Sequence, residues 1–106
     1  MRSKATKRHE FQRRCDISSR GLGTIMLEDL DYYTRLEYID AGDNGLTMDG
    51  FGRLRRLREL RLQCNGIKDC RSVPEAVEDG GFRALLTLDL SYNALSIDSI
   101  SDLSAL

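Results

Sequence analysis

Apolar positions along this chain follow two periods at once. In "LRELRLQCNGI", residues 57–67, leucines stand at 57, 60 and 62, with Asn65 and Ile67 behind them. Leu57 and Leu60 fit the i, i+3 spacing of a helix face, whereas Leu60–Arg61–Leu62 alternates like a strand. Copies of the window decide between the two. "LEYIDAGDNGL" (36–46) and "LLTLDLSYNAL" (85–95) share its pattern, L-x-x-L-x-L-x-x-N-x-L, with Ala41 as a smaller apolar residue at the sixth position. These copies start 21 and 28 residues apart. A degenerate copy lies upstream in "CDISSRGL", where Cys15, Ile17 and Leu22 take positions 4, 6 and 11 and Arg20 stands in place of the Asn. Between copies, Phe51–Leu54–Leu57 and Ile100–Leu103–Leu106 are spaced by three, the rhythm of a helical or 3-10 return.

Each copy therefore predicts a short strand, a turn and a short helical return. Leu60 and Leu62 point inward from the strand, flanked by Leu57 and Ile67. One copy cannot bury this face alone, so neighbours must stack and share a continuous core. The expected fold class is α/β: a solenoid with a short-stranded parallel sheet on the concave face and helical or 3-10 returns on the convex face. A coiled coil or helical bundle is disfavoured, because no heptad continues past two turns. Asn44, Asn65 and Asn93 fall at the turn after each strand. They are expected to form a structural ladder whose amides bond backbone groups that have lost their sheet partners.

The copy that begins at Leu57 carries extra length in "KDCRSVPEAVEDGGF", residues 68–82. Val73 precedes a proline, which disfavours helix there, while Pro74 suits a first helical turn. "PEAVEDGG" is expected to be a short helix stopped by Gly80–Gly81, bulging from the convex side. In domain terms, residues 1–11 are expected to form a basic, loose tail and residues 12–106 the repeat array, with copies near 12, 36, 57 and 85. Leu106 would open another copy, so the expectation is either an N-terminal fragment of a longer protein or another element that covers that edge. Leu85, Leu88, Leu90 and Leu95 would have only Ile97, Ile100, Leu103 and Leu106 on their outer side. Fraying or self-association through that C-terminal edge is expected.

Composition narrows the chemistry more than the fold. Hydrophobic residues make up 41% and charged residues 31%, which suits a folded soluble domain. No apolar run approaches the ~20 residues of a membrane span, and no apolar segment follows Met1 as a secretory signal would require. The formal net charge of −1 conceals six Lys/Arg against Glu10 in the first 14 residues. A solvated tail is the first reading of that stretch; nucleic-acid contact through residues 1–14 is the alternative. Cys15, Cys64 and Cys70 are odd in number, which points to free thiols in a reducing compartment. Cys64 and Cys70 do not have a zinc spacing, and His9 is the single histidine, upstream of the repeats. "GLG" at 21–23 lacks the third glycine and the lysine of a phosphate loop. Neither a His-based acid–base pair nor a cofactor is expected, and the chain is expected not to be an enzyme.

The surface left to carry function is the strand face. Non-leucine positions there point away from the core and stack into columns. One column is Arg14, Tyr38, Glu59 and Thr87. The next is Asp16, Asp40, Arg61 and Asp89, acidic with one arginine inserted. Ser18, Gly42, Gln63 and Ser91 follow, then Ser19, Asp43, Cys64 and Tyr92. Tyr38 and Tyr92 are the aromatic anchors expected of a partner-binding surface. "RLRRLRELR", residues 53–61, adds a basic rim. Four strands at ~4.8 Å give a face only ~15 Å wide, enough for one helix ~10 Å across. Projected, this is well under the ~800 Å² per partner of a standard interface.

The copies resemble the leucine-rich repeat superfamily over residues 12–106. A narrower likeness lies in their order: "CDISSRGLGTI" without an Asn, "YIDAGDNGL" with a small residue inside, "LRELRLQCNGI", then "LLTLDLSYNALSIDSISDL". This succession looks like the first repeats of the X-ray radiation resistance-associated protein family, apart from the inserted "CRSVPEAVEDGG". The resemblance implies a non-enzymatic intracellular protein, cytoplasmic and also nuclear, and assigns no catalytic residues. Its partner would be another protein, presenting a single helix or an extended segment.

Overall fold

A computed structural model describes residues 13–21 and 35–106. The tail over residues 1–11 and Leu22 lie outside the described residues. Four three-residue strands form the sheet: β1 (Arg14–Asp16), β2 (Tyr38–Asp40), β3 (Glu59–Arg61) and β4 (Thr87–Asp89). They pair in chain order, β1-β2-β3-β4, and every pairing is parallel. A parallel pair needs a long crossover between its strands, and the rest of each copy supplies it. Each strand is short because only its L-x-L segment alternates. Its second residue and the apolar residue two further on both turn inward, so Ile39, Ala41, Leu60 and Leu62 are 0–2% exposed.

Backbone pairing outlasts the strands. The Ala41 and Asp43 amides donate to the Arg61 and Gln63 carbonyls, both at 2.9 Å, and Leu62 and Cys64 do the same to Asp89 and Ser91. The chain then leaves the sheet through one left-handed residue in every copy: Ser19, Asp43, Cys64 and Tyr92 have φ between 54° and 59°. That conformation is uncommon for residues with a Cβ, and the asparagine that follows pins it in the last three copies.

Asn65 illustrates the arrangement. Its Nδ2 donates to the Leu62 carbonyl of its own copy at 2.9 Å and to the Ala41 carbonyl of the preceding copy at 3.2 Å. Its Oδ1 accepts from the Asn44 and Leu46 amides at 3.0 and 2.8 Å. Asn44 ties back in the same way to the Ile17 carbonyl and the Arg20 amide, and Asn93 to the Leu62 carbonyl and the Asn65 amide. Each amide thus serves the copy before its own. Among the described residues no copy precedes β1, so Arg20 has no such task; its backbone N–H donates to Asn44 Oδ1 and its Nη2 reaches the Asp16 carbonyl at 3.5 Å.

Below the sheet the core collects Leu36, Leu46, Met48, Phe51, Leu54, Leu57, Ile67, Cys70 and Val73, each 0–3% exposed. The i, i+3 series at Phe51 begins a single 3-10 turn, Phe51–Arg53, entered through Gly50 at φ 86°. Two α-helices follow, α1 (Val73–Glu78) and α2 (Asp98–Leu103). α1 packs on the 3-10 turn and on α2, and its backbone does not come close to any strand, so it stays off the strand face. It starts one residue earlier than the proline rule suggests. Val73 is fully buried, and burying a valine, worth ~1.5–3 kcal/mol, outweighs the local bias of a pre-proline residue.

α2 departs from the sequence expectation. Ile97 and Ile100 are 85% and 69% exposed and do not cover the last copy. Ser99, 0% exposed, and half-buried Leu103 face inward instead. Ser99 Oγ reaches the Lys68 carbonyl at 3.4 Å and Ser96 Oγ at 3.2 Å. A small hydroxyl at this point lets the helix close onto the preceding copy, and the two isoleucines are rotated out. Leu85, Leu88, Leu90 and Leu95 consequently remain only half-buried against the core.

Candidate interaction face

The sheet register lays the outward side chains in rows. Arg14, Tyr38, Glu59 and Thr87 pair across the four strands, as do Asp16, Asp40, Arg61 and Asp89. In the first row the Arg14 guanidinium stacks 4.2 Å from the centre of the Tyr38 ring. Arg61 approaches the same ring at 5.9 Å. A ring between two guanidiniums is held in place by cation–π attraction. Two of the six basic residues assigned to the N-terminal stretch, Arg13 and Arg14, thereby belong to the sheet and not to a tail.

Arg61 organises the centre of the face. Its Nε lies 2.6 Å from a Glu59 carboxylate oxygen, and its Nη1 lies 3.6 Å from Asp89. The hydrogen bond and charge of Glu59 raise the guanidinium's pKa, and the contacts with Glu59 and Asp89 orient it. Glu59 is occupied by the same contact.

The acidic row is built for turning the chain. Asp16 Oδ1 accepts from the Ser18 amide at 3.0 Å and the Ser18 hydroxyl at 2.7 Å. Asp89 makes the same pair with Ser91, at 3.0 and 2.6 Å. Asp40 accepts from the Gly42 amide at 3.1 Å. These are Asx turns, in which a carboxylate satisfies an amide two residues on. The serine hydroxyls hold the carboxyls of Asp16 and Asp89 below the usual aspartate range. In β3 the acid is replaced by Arg61, and Gln63 takes up the slack. Its Nε2 donates to Asp40 Oδ1 at 3.3 Å, and the side chain lies over Gly42, filling the space where a Cβ would stand. The Gln63 Oε1 is buried and has no hydrogen-bond partner among the described residues.

Tyr92 is placed differently from Tyr38. It is 86% exposed in the left-handed position after β4, two strands away and at the far end of the rows. The two rings do not form one aromatic patch. In the row with Tyr92, Ser19 Oγ donates to Asp43 Oδ2 at 3.1 Å, and Cys64 is an exposed free thiol.

Sequence reading missed a further row, immediately before the strands. By continuation of the register it contains Arg13, Glu37, Arg58 and Leu86. Together with the first row these residues line a hollow of about 360 Å³. Arg13 pairs loosely with Glu37 at 3.8 Å. Leu86 is 74% exposed. The signal for this row was present in "RLRRLRELR", but without a register an arginine one residue before a strand cannot be assigned to either face. Of the other arginines in that run, Arg55 donates to the Asp79 carbonyl at 2.8 Å.

Among the described residues no group of three metal-ligating side chains comes together, and no helix is long and apolar enough to cross a membrane. Cys70 is buried, and burial raises its thiol pKa; the same cause raises that of Cys15.

Comparison with known proteins agrees with the geometry. The family model described as Leucine Rich Repeat matches residues 84–106. The chain is also 36% identical over 94 residues to X-ray radiation resistance-associated protein 1 of Mus musculus. That alignment covers 87% of this chain but only 11% of the relative's length. A parallel sheet with one L-x-L strand per copy and an asparagine closing each of the last three is the expected form of such repeats. Residues 84–106 are a leucine-rich repeat by the family match, and most of the chain is similar to a short stretch of X-ray radiation resistance-associated protein 1.

Proposed function

We propose that this chain is a curved leucine-rich repeat solenoid that works as a non-enzymatic protein–protein interaction module inside the cell. The strand face is its concave, binding side, and the occupant is a single helix or an extended segment of another protein. The observation that carries this reading is the registered face itself: four parallel strands aligning outward side chains in rows, with Tyr38 clasped by Arg14 and Arg61. Anchors that are already ordered lose little entropy on binding, which favours them as contact points. The leucine-rich repeat family in general consists of such modules. An exposed, unpaired Cys64 suits a reducing compartment, the cytoplasm with a share in the nucleus.

Affinity capture with the longest form of the protein tests this, followed by identification of the bound partner and its remeasurement with purified components. Tyr38→Ala and Arg61→Glu should each weaken that binary interaction, while removal of residues 1–11 should not. Binding that disappears with residues 1–11 and falls steeply with salt would instead mark nucleic-acid association through the basic stretch.

A further inference from the structure

The hollow at the start of the strands has an excess of positive charge, whereas the next row along the strands, Asp16, Asp40, Arg61 and Asp89, is acidic. Three arginines, Arg13, Arg14 and Arg58, line it together with two glutamates, Glu37 and Glu59. Both carboxylates are already engaged, Glu37 with Arg13 and Glu59 with Arg61. Arg58 is exposed and makes no ion pair among the described residues. Its backbone is held firmly: its amide donates to the Glu37 carbonyl at 2.8 Å, and its own carbonyl accepts from Leu86 and Thr87 at 2.8 and 3.0 Å. An anchored backbone thus presents a cation beside the exposed apolar side chain of Leu86 in the neighbouring copy.

Resting on the reading of the strand face as an interaction surface, we propose that this hollow receives an acidic segment of the partner protein, one carboxylate side chain against Arg58 and a neighbouring apolar side chain against Leu86. Charge complementarity selects the sign. A basic segment would meet unopposed Arg58 and two carboxylates that are already paired, whereas an acidic one completes the imbalance with a charge-assisted, bidentate-capable contact. A single exposed ion pair contributes little, so Leu86 is needed as the second contact. Its 74% exposure leaves that apolar surface available. A cavity of about 360 Å³ has room for side chains of this size. The acidic row further along the strands does not compete, because Asp16, Asp40 and Asp89 are bonded into their own turns.

Two synthetic peptides provide the test, one alternating Glu and Leu and one with Lys at every Glu, titrated into the labelled protein and followed by amide NMR. The acidic peptide should shift the amides of Arg58, Leu86 and Thr87, and its binding should weaken with added salt. Arg58→Glu should reduce that affinity about tenfold or more and Leu86→Ser severalfold, both in proteins whose remaining amide spectrum is unchanged. Equal binding of the lysine peptide, no acidic binding at millimolar concentration, shifts that map elsewhere, or indifference to Arg58→Glu would each overturn the proposal. So would dilution-dependent shifts at Leu86, which would assign the hollow to a second copy of the chain. If the identified partner depends on Tyr38 and Arg61 but not on Arg58, the interaction reading stands and the acidic-segment proposal fails.

Discussion

Asn65 concentrates the structural chemistry of the repeat in one side chain. Removing its amide leaves the Asn44 and Leu46 N–H groups and the Leu62 and Ala41 carbonyls short of a partner in a buried setting. Unsatisfied buried polar groups cost about 1–3 kcal/mol. Asn65→Ala should therefore lower unfolding free energy by about that amount, measured by chemical denaturation, and an unchanged denaturation midpoint would remove the ladder from the account. Asp16 and Asp89 make a different kind of contribution. Their carboxyls titrate lower in the folded chain because serine hydroxyls and amides stabilise the anion. A depressed folded pKa contributes stability above the unfolded pKa, and that contribution is lost as pH falls through the folded value. Stability should therefore decline on the acid side, below the ordinary aspartate range. Asp16→Asn with Asp89→Asn keeps an acceptor for each amide and removes the titration, so the acid decline should become shallower in denaturation curves collected against pH.

At the level of elements, the insertion between the third and fourth copies is tolerated because its helix docks on other returns. α1 ends where the Gly81 amide donates to the Ala76 carbonyl at 2.7 Å and the Gly80 amide to Val77 at 2.9 Å. A Cβ on Gly81 would stand 2.8 Å from the Ala76 carbonyl oxygen and 3.1 Å from that of Gly52. Both are backbone atoms that cannot swing aside. Gly81→Ala should destabilise by about 1–3 kcal/mol, the usual range for overpacking. Gly66 provides the contrast. Its φ of +74° opposes a Cβ, but nothing lies within 4 Å of one, so Gly66→Ala should cost only ~1 kcal/mol of backbone strain. Thermal melts of the two variants should rank Gly81→Ala lower.

Across the whole molecule burial falls towards the last copy. Leu57, Leu60 and Leu62 are 0–1% exposed, while Leu85, Leu88, Leu90 and Leu95 are only half-buried. Ile97, Ile100, Leu86 and Tyr92 are open to solvent. Each large side chain left in water forgoes ~1.5–3 kcal/mol of burial, against a typical domain stability of ~5–15 kcal/mol. Amides of residues 85–95 should exchange faster than those of 57–67 in a dilute monomer of these 106 residues. Equal protection of the two segments would contradict the gradient. Raising the concentration should slow exchange in 85–95 if this surface pairs with another molecule.

The repeat pattern alone specifies the strands, their parallel order and the rows on their outer face. An L-x-L segment recurring with an asparagine three residues after its second leucine admits one register, because a slip by one residue would turn every leucine to solvent. The sequence also placed the 3-10 return at Phe51 and the helix beginning near Pro74, since spacing by three and proline chemistry are local signals. Tertiary structure decided which return faces enter the core. Ser99 is buried and Ile100 exposed because the depth of docking onto the preceding copy sets the rotation of α2, and the apolar spacing alone pointed the other way. It decided that Asp16, Asp40 and Asp89 accept from their own turns, which depends on side-chain rotamers as well as residue type. It also brought Arg13, Arg58 and Leu86, 73 residues apart at the extremes, to one hollow. Such a meeting depends on the stacking of whole copies, and no local period encodes it.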